Sequence, residues 1–357
     1  MKAEGCDTLA AQSASNLIMT RARAKYGQRL TKKNYTEMSD LGSVVEVADY
    51  LSNTDYGGYI DTASKSFLHR KNLEQVLRRG YISETERFCR YEASVGEHIF
   101  EYFLMEREIQ SLLNFIHLLS IGRQREFIFT FSKSFESFIS LDLSALSGVE
   151  TNGELKAFLS KTRYKKIAGL LPADNSTDYD FSIIETALDR MLYSHVLSIA
   201  SVGFPDSAKK ELSDIFNLKS ELLDLMMIFR AKRFFNESPH YIRSNLIGNR
   251  YLFTAAQLEE MISANDSREI FSVLKSKRYF DEFLSAEPDK DLDFICHSIF
   301  NSFVVKKIHY SNNPAVVMTA YLLTKQTELE NIFKIIEGVR YNIPQKTILN
   351  SLIIKEA

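Results

Sequence analysis

The stretch YTEMSDLGSVVEVADYLSNTDY, residues 35–56, decides how this chain folds, because its pattern occurs three times. The second copy runs from Leu143 to Tyr164 and the third from Leu258 to Tyr279, and no copy needs an internal gap. The shared positions are Tyr35, Met38, Glu46, Val47, Leu51, Thr54 and Tyr56; Leu143, Leu146, Glu154, Leu155, Leu159, Thr162 and Tyr164; and Leu258, Met261, Glu269, Ile270, Leu274, Lys277 and Tyr279. Internal repetition of this kind predicts a fold built from three similar units.

Each copy carries a glutamate three residues after a helix-capping side chain. The pairs are Ser43 with Glu46, Thr151 with Glu154, and Asp266 with Glu269. In a capping box, the first side chain accepts a hydrogen bond from the backbone N–H of the glutamate, which in turn reaches back to the helix start. We therefore interpret the repeated glutamate as structural rather than catalytic. The leucines that follow it, Leu51, Leu159 and Leu274, are predicted to be equivalent core positions.

Long segments with helical periodicity lie between the copies, at 101–119, 210–235 and 314–337. The last has Asn313 as a candidate N-cap and Pro314 at the first helical position, and its end is predicted near Gly338. Only 14 Gly and 6 Pro interrupt the chain, and no comparable alternating strand pattern appears. The sequence thus predicts an all-α fold. The expected helical repeats cover residues 1–128, 129–240 and 241–357.

Composition excludes several classes of protein. The 44 basic and 46 acidic residues nearly cancel, so the excess positive charge of a dedicated nucleic-acid binder is missing. No apolar run approaches the roughly 18 residues that a membrane span needs, and the first residues lack a stretch of signal-peptide type. The cysteines Cys6, Cys89 and Cys296 form no disulfide or zinc pattern, so we expect thiols in a reducing cytoplasm.

Sequence motifs for phosphate or metal binding are weak. The chain has neither a G-x-x-x-x-G-K-[ST] loop nor a G-x-G-x-x-G turn, which disfavours nucleotide binding. Gly57 and Gly58 are expected to close the helix of the first copy. Glu237-x-x-His240 has the spacing of a carboxylate-bundle metal motif, but Pro239 interrupts the helix there and no second motif completes a site.

Two further groups are candidates for chemistry. Cys296, His297 and Asp293 could serve as nucleophile, base and orienting group, yet adjacent residues on a helix point about 100° apart. A basic group beside aromatic residues could bind phosphates or acidic loops of a partner, or could simply suit the negative end of a helix dipole. That group comprises Arg230, Lys232 and Arg233, with Phe229, Phe234 and Phe235. We predict no catalytic, cofactor-binding or metal-binding residue.

The opening of the chain resembles one known family. The segment TRARAKYGQRLT at 20–31, followed by Tyr35 and by the LSNTDY that ends at Tyr56, closely resembles the start of the C subunit of rotary V/A-type ATPases. That family is related to the d subunit of eukaryotic vacuolar ATPases.

The centre and the end of the chain agree with this resemblance. Segments similar to the family's closing helix are AYL at 320–322, ELENI at 328–332 and IIEGVRY at 335–341, and the segment at 225–235 with its RAKR resembles the equivalent helix of the middle repeat. Three positions depart from the family pattern. Lys277 replaces Thr, Asp224 replaces Asn, and Met227 stands where an aromatic residue is expected.

The resemblance implies three similar helical domains arranged about a pseudo-threefold axis as a funnel. It also implies a non-catalytic subunit of the central stalk, the rotor, of a V-type ATPase or ATP synthase. The implied partners are the axle subunits and the membrane rotor ring, with no nucleic acid, no cofactor and no transmembrane segment. The implied location is cytoplasmic and peripheral to the membrane. ATP hydrolysis or synthesis, and proton or sodium transport, would take place on other subunits.

The alternative is a soluble helical-repeat scaffold that binds protein or RNA, since solenoids also repeat internally. Solenoid periods are about 20 to 50 residues, whereas the copies here begin at residues 35, 143 and 258. The spacing and the matched positions of the family-like segments favour the stalk protein.

Overall fold

The structure of the chain is a computed structural model. It describes residues 2–60, 70–95, 98–127, 139–174, 176, 178–278, 280, 281, 284 and 291–354, with side chains from residue 15 onward except at 94 and 267. Tyr279, the side chain of Cys6 and the predicted boundary between residues 128 and 129 lie outside this part of the chain.

Every regular element in the described residues is a helix, which confirms the all-α prediction. The α-helices are α1 (Lys2–Gly27), α2 (Lys32–Ser39), α3 (Val44–Ser52), α4 (Gly57–Ile60), α5 (Arg70–Val95), α6 (Glu101–Ser120), α7 (Leu143–Leu146), α8 (Asn152–Leu159), α9 (Lys165–Ala168), α10 (Phe181–Val202), α11 (Asp206–Arg230), α12 (Pro239–Ser244), α13 (Ala255–Ser263), α14 (Ser267–Lys275), α15 (Leu292–Tyr310), α16 (Pro314–Arg340) and α17 (Gln345–Ser351). A 3₁₀ turn at Gln124–Glu126 follows α6, and a π-helical turn at Ala231–Phe235 follows α11.

The backbone forms two compact units. Unit 1 comprises Met1–Glu97 and Arg278–Ala357, and unit 2 comprises His98–Lys277. The first copy of the repeat lies in unit 1, the second lies in unit 2, and the third lies in unit 2 as far as Lys277. Three domains over 1–128, 129–240 and 241–357, and their arrangement as a funnel, stay predictions.

Helix α16 is the centre of unit 1. It packs against α1, α5 and α15, and the first copy of the repeat, with α17, packs on it as well. All residues from Ala315 to Leu323 are buried, as expected of a helix that is covered on every side. The core under the first copy joins Leu51 and Val47 to Ile332 and Ile336 of α16.

Unit 2 is built on α6, α10 and α11, in which α10 packs against both of the others. The second copy of the repeat contains α7 and α8, and the third contains most of α13 and all of α14. Leu51, Leu159 and Leu274 are each 0% exposed, so the predicted core positions are confirmed as buried.

The predicted long helices are present with shifted ends. Asn313 caps α16 as predicted, its side chain accepting from the N–H of Val316 at 3.2 Å. The helix ends at Arg340, two residues beyond Gly338, as the predicted end near Gly338 implies. Gly338 is needed for packing, because a Cβ there would overlap the side chain of Ile348 on α17.

The capping side chains act as predicted, but the glutamates reach one residue further back. Glu46, Glu154 and Glu269 each donate their backbone N–H to the capping side chain three residues earlier, at 3.2 Å in every case. Their carboxylates accept the N–H groups of Gly42, Glu150 and Asn265, the residues before the N-caps. Each glutamate therefore fixes the entry of the chain into the helix.

The expectation that Gly57 and Gly58 close the first helix is wrong. Helix α3 ends at Ser52, and Gly57 begins α4. A Cβ at Gly57 would overlap the carbonyl oxygen of Ser52, so the glycine allows the two short helices to meet closely.

Cys89 and Cys296 are buried thiols, in agreement with the prediction for these two positions. Among the described residues, no helix has both the length and the apolar character that a membrane span requires.

Candidate functional site

A buried glutamate on a long helix joins the two ends of the second repeat copy. Glu108 lies on α6 and is 1% exposed. Its Oε2 accepts from the hydroxyl of Tyr164 at 2.9 Å, and its Oε1 accepts from the N–H of Leu141 at 2.5 Å. Burial and the adjacent carboxylate raise the pKa of Tyr164, so the phenol keeps its proton and donates it. One carboxylate thus satisfies the N–H before the first helix of the copy and the hydroxyl at its end.

Glu328 on α16 makes the same pair of contacts with the first copy. It accepts from the hydroxyl of Tyr56 at 2.7 Å and from the N–H of Leu30 at 2.8 Å. Lys325 adds an ammonium 2.8 Å from the same carboxylate. Burial lowers the pKa of Lys325, but the neighbouring carboxylates, Glu328 first among them, outweigh it, and the net shift is upward. The lysine therefore stays charged inside the unit.

Glu221 on α11 holds the start of the third copy. Its carboxylate accepts from the N–H groups of Leu252 at 2.6 Å and Phe253 at 2.9 Å. Tyr279, the equivalent of Tyr56 and Tyr164, lies outside the described residues. Burial raises the pKa of Glu221, while the backbone donors and the charge of Lys277 lower it. The positive charge of Lys277, which stands where the family has Thr, therefore offsets part of the negative charge of Glu221. The threonines of the other two copies carry no charge and cannot do this.

Each of the three glutamates lies on a long helix and holds one copy of the repeat. The second copy is held by α6 and the third by α11, the long helices that precede them. The first copy is held by α16, the last long helix of the chain. The local pattern could not show this, because Leu30 and Glu328 are far apart in sequence and neither belongs to the repeated positions.

A second carboxylate in unit 1 binds two more tyrosines. Glu84 accepts from the hydroxyl of Tyr321 at 2.6 Å and from that of Tyr59 at 2.8 Å. Burial, followed by the charge of Glu84, raises the pKa of both phenols. Asp55, next to Tyr56, forms an ion pair with Lys25 at 2.6 Å. The Glu84 contacts thus join α5 to α16 and to α4, and the ion pair joins α1 to the turn between α3 and α4.

The candidate chemical groups from the sequence do not form a site. Cys296 is buried whereas His297 is exposed, and the His297 ring contacts the Asp293 carbonyl oxygen of its own helix at 2.7 Å. Glu237 lies before α12, and His240 is exposed at its start. No cluster of His, Cys, Asp or Glu in the described part of the chain has the geometry of a metal site.

The predicted basic group lies partly in the π-helical turn after α11. The guanidinium of Arg233 lies over the rings of Phe229 and Phe234, at 5.4 and 5.3 Å from their centroids. Phe234 and Phe235 are exposed. These contacts fix the orientation of Arg233 at the helix end, which fits the structural interpretation of this group.

A cavity in unit 2 has an acidic lining, which the sequence analysis did not predict. It has a volume of about 370 Å³ and lies among α10, α11 and the loop that follows α12. Its lining includes Glu185, Asp189, Asp224 and Asn245. Glu185 and Asp189 are one turn apart on α10 and in sequence look like an ordinary solvated face. Asp224 was visible only as a departure from the family pattern.

Comparison with known proteins agrees with the resemblance in the sequence. Residues 18–351 match the family described as "ATP synthase (C/AC39) subunit". A protein from Methanosphaera stadtmanae, named as the C subunit of an A-type ATP synthase, is 22% identical over 264 residues, which cover 72% of this chain and 65% of the relative. A protein of the same name from Pyrococcus abyssi is 22% identical over 336 residues, or 90% of this chain and 86% of the relative. The chain thus spans slightly less than two thirds of the Methanosphaera relative. Because the family pattern extends over nearly the whole all-α chain, the chain belongs to the ATP synthase (C/AC39) subunit family.

Proposed function

We propose that this chain is a non-catalytic central-stalk subunit of a V/A-type ATPase, which couples the axle subunits to the membrane rotor ring during ATP-linked proton or sodium transport. The observation that carries the proposal is the family match over residues 18–351. The names of the two relatives, both of which designate the C subunit of an A-type ATP synthase, support it. The proposed location is the cytoplasmic face of the membrane, where the chain binds through the ring.

The way in which the repeat copies are held also supports this role. A coupling that transmits torque between two partners must resist bending, and it needs no reactive group. Glu108, Glu221 and Glu328 each fix a repeat copy to a long helix through buried hydrogen bonds to a charged acceptor, which are among the stronger polar contacts in proteins. The second and third copies are each held by the preceding long helix, and the first copy is held by the last long helix.

A rebinding experiment tests the proposal. Membranes that carry the rotor ring are stripped of the soluble ATPase subunits and then mixed with purified axle subunits, with or without this chain. We expect the axle subunits to sediment with the membranes only when the chain is supplied, and the bound amount to fall as salt is raised, because the contact should involve many charged groups. Membranes without a rotor ring serve as the control.

Two results would contradict the proposal. One is sedimentation of the axle subunits to the same extent without the chain. The other is ATP hydrolysis by the purified chain alone. Binding of single-stranded RNA in place of the membranes would support the alternative, a helical-repeat scaffold.

A further inference from the structure

The acidic cavity of unit 2 contains acceptors that the fold does not use. Asn245 is 1% exposed, and its Oδ1 has no hydrogen-bond partner among the described residues. Its Nδ2 donates to the carbonyl oxygen of Tyr241 at 3.0 Å, which sets the orientation of the amide. A buried acceptor without a donor is unfavourable, so an occupant that donates to it would be stabilised.

The loop that carries Asn245 is held firmly in place. Asp224 on α11 accepts from the N–H groups of Ile247 at 2.6 Å and Gly248 at 2.8 Å. Arg190 on α10 donates to the carbonyl oxygens of Leu246 at 2.6 Å and Ser244 at 2.9 Å. The unused amide oxygen is therefore preorganised rather than carried by a free loop.

Asp189 is the second unused acceptor in this cavity. It is partly buried, and it forms no hydrogen bond or ion pair with the described residues. The cation whose charge acts on it, Lys219, already donates to the Tyr102 hydroxyl at 2.6 Å and to Glu106 at 3.0 Å. Asp189 thus lines the cavity, and its carboxylate has no oppositely charged partner in contact within the described part of the chain.

The remaining lining indicates the kind of occupant. Four acidic side chains line the cavity against one basic side chain, Arg230, so the cavity favours a cation. The acidic side chains are Glu185, Asp189, Asp224 and Glu237. Leu223, Met227 and Phe235 supply apolar surface beside them. Phe235 ends the π-helical turn, a feature that frequently marks functional sites.

We propose that this cavity binds an alkylammonium group, with Asp189 and the Asn245 Oδ1 accepting its N–H donors and the apolar residues covering its methylene chain. An ammonium carries three donors and no acceptor, which suits separate acceptors on α10 and on the loop. A metal ion is disfavoured, because the described residues lack a metal-binding cluster. The group could belong to a free polyamine or to a lysine of a partner protein.

The protonation of Asp189 gives the proposal a pH signature. Burial raises its pKa to about 7; Lys219 on α11 lowers it, while Glu106 on α6, Glu185 on α10 and Asp224 on α11 raise it. Burial likewise raises the pKa of Asp224, to about 6. A carboxyl group with a pKa near 7 is about one-tenth ionised at pH 6 and about nine-tenths ionised at pH 8. Binding of a cation should therefore be about tenfold weaker at pH 6 than at pH 8.

Titration of the full chain with n-butylammonium chloride at constant ionic strength, followed by ligand-observed NMR, tests the proposal. We expect saturable binding at pH 8 that weakens about tenfold at pH 6, and no binding of the uncharged n-butanol. Asp189→Asn should weaken binding at least tenfold. The matched control Glu260→Gln removes the same charge from an exposed position of the same unit that does not line the cavity, and it should bind like the wild type.

The variant should fold, because Asp189→Asn removes a charge that burial disfavours. Its Tm at pH 8 is expected to equal or exceed that of the wild type, which separates loss of binding from loss of structure.

A second titration, with spermidine, distinguishes a free polyamine from a lysine side chain as the source of the alkylammonium group. Binding at least tenfold tighter than that of n-butylammonium supports a polyamine, and similar affinity supports a lysine side chain. Equal affinity of n-butylammonium for wild type and Asp189→Asn, or n-butanol binding as tightly as n-butylammonium, would overturn the proposal. Because only the isolated chain is used, the result does not depend on the rotor function.

Discussion

Replacing Tyr164 by Phe removes a single hydroxyl from the contact that closes the second repeat copy. The side chain is 0% exposed, so water has no access to replace the lost donor. The Glu108 Oε2 loses the 2.9 Å hydrogen bond, while the Oε1 keeps the N–H of Leu141. A hydrogen bond to a charged group contributes about 1.5–3 kcal/mol, and we expect the free energy of unfolding of unit 2 to fall by this amount.

The first copy offers an internal comparison. Tyr56→Phe removes the equivalent hydroxyl from Glu328, but the ammonium of Lys325 remains 2.8 Å from that carboxylate. The loss should therefore be smaller than for Tyr164→Phe, below about 1.5 kcal/mol. Tyr310→Phe is the control, because Tyr310 is 81% exposed and a surface change of this kind usually stays within about 0.5 kcal/mol.

Hydrogen exchange measured by mass spectrometry gives the local readout. A loss of about 1.5–3 kcal/mol corresponds to roughly 10- to 150-fold faster exchange of the Leu141 amide if the copy opens as a unit. Urea denaturation supplies the global value. The reasoning fails if the stability of Tyr164→Phe lies within about 0.5 kcal/mol of the wild type, or if Tyr56→Phe is the more destabilising of the two.

Three further changes test other parts of the structure. Leu159→Ala should lower the free energy of unfolding by about 2–5 kcal/mol because the side chain is fully buried, as urea denaturation against the exposed control Val45→Ala would show. Gly57→Ala should lower Tm because its Cβ would overlap the carbonyl oxygen that ends α3, whereas Gly58→Ala, which has open space, should leave Tm unchanged or raise it. The folded-state pKa of Asp189, about 7, exceeds its ordinary value near 4, so the folded protein holds a proton that the unfolded chain releases. The stability that the protonated Asp189 contributes is thus present below about pH 4 and is lost as pH rises to about 7. The lost free energy of unfolding is on the order of 4 kcal/mol. Asp189→Asn should remove this pH-dependent part, as urea titrations at a series of pH values would show.

Local features of the structure could be predicted from the sequence. The spacing of Ser43 and Glu46 predicted the cap of α3, and Asn313 with Pro314 predicted the start of α16, because caps depend on residues within one turn. The backbone N–H that each capping-box glutamate binds could not be predicted. The carboxylate of Glu46 binds the N–H of Gly42 because of the path that the chain takes before the helix, and this path is not a local property of the motif.

Contacts between distant segments were beyond sequence reasoning. Nothing in the periodicity of α16 distinguishes the buried Glu328 from the exposed Glu330, and the bond of Glu328 to Leu30 becomes visible only when α1 and α16 pack together. The acidic cavity is similar, because its shape depends on how Asp224 and Arg190 hold the loop after α12. The sequence predicted the helices. The contact of Glu328 and the acidic cavity depend on how these helices pack together.

The coupling of ATP hydrolysis to ion transport tests the central claim most directly. Membranes with the complete ATPase are compared with membranes that lack only this chain, and ATP hydrolysis, proton transport and sodium transport are measured in the same preparation. We expect hydrolysis by the soluble part to persist without the chain while ion transport is lost, and we expect transport to return when the purified chain is added. Ion transport that stays fully coupled to hydrolysis in the absence of the chain would contradict the account.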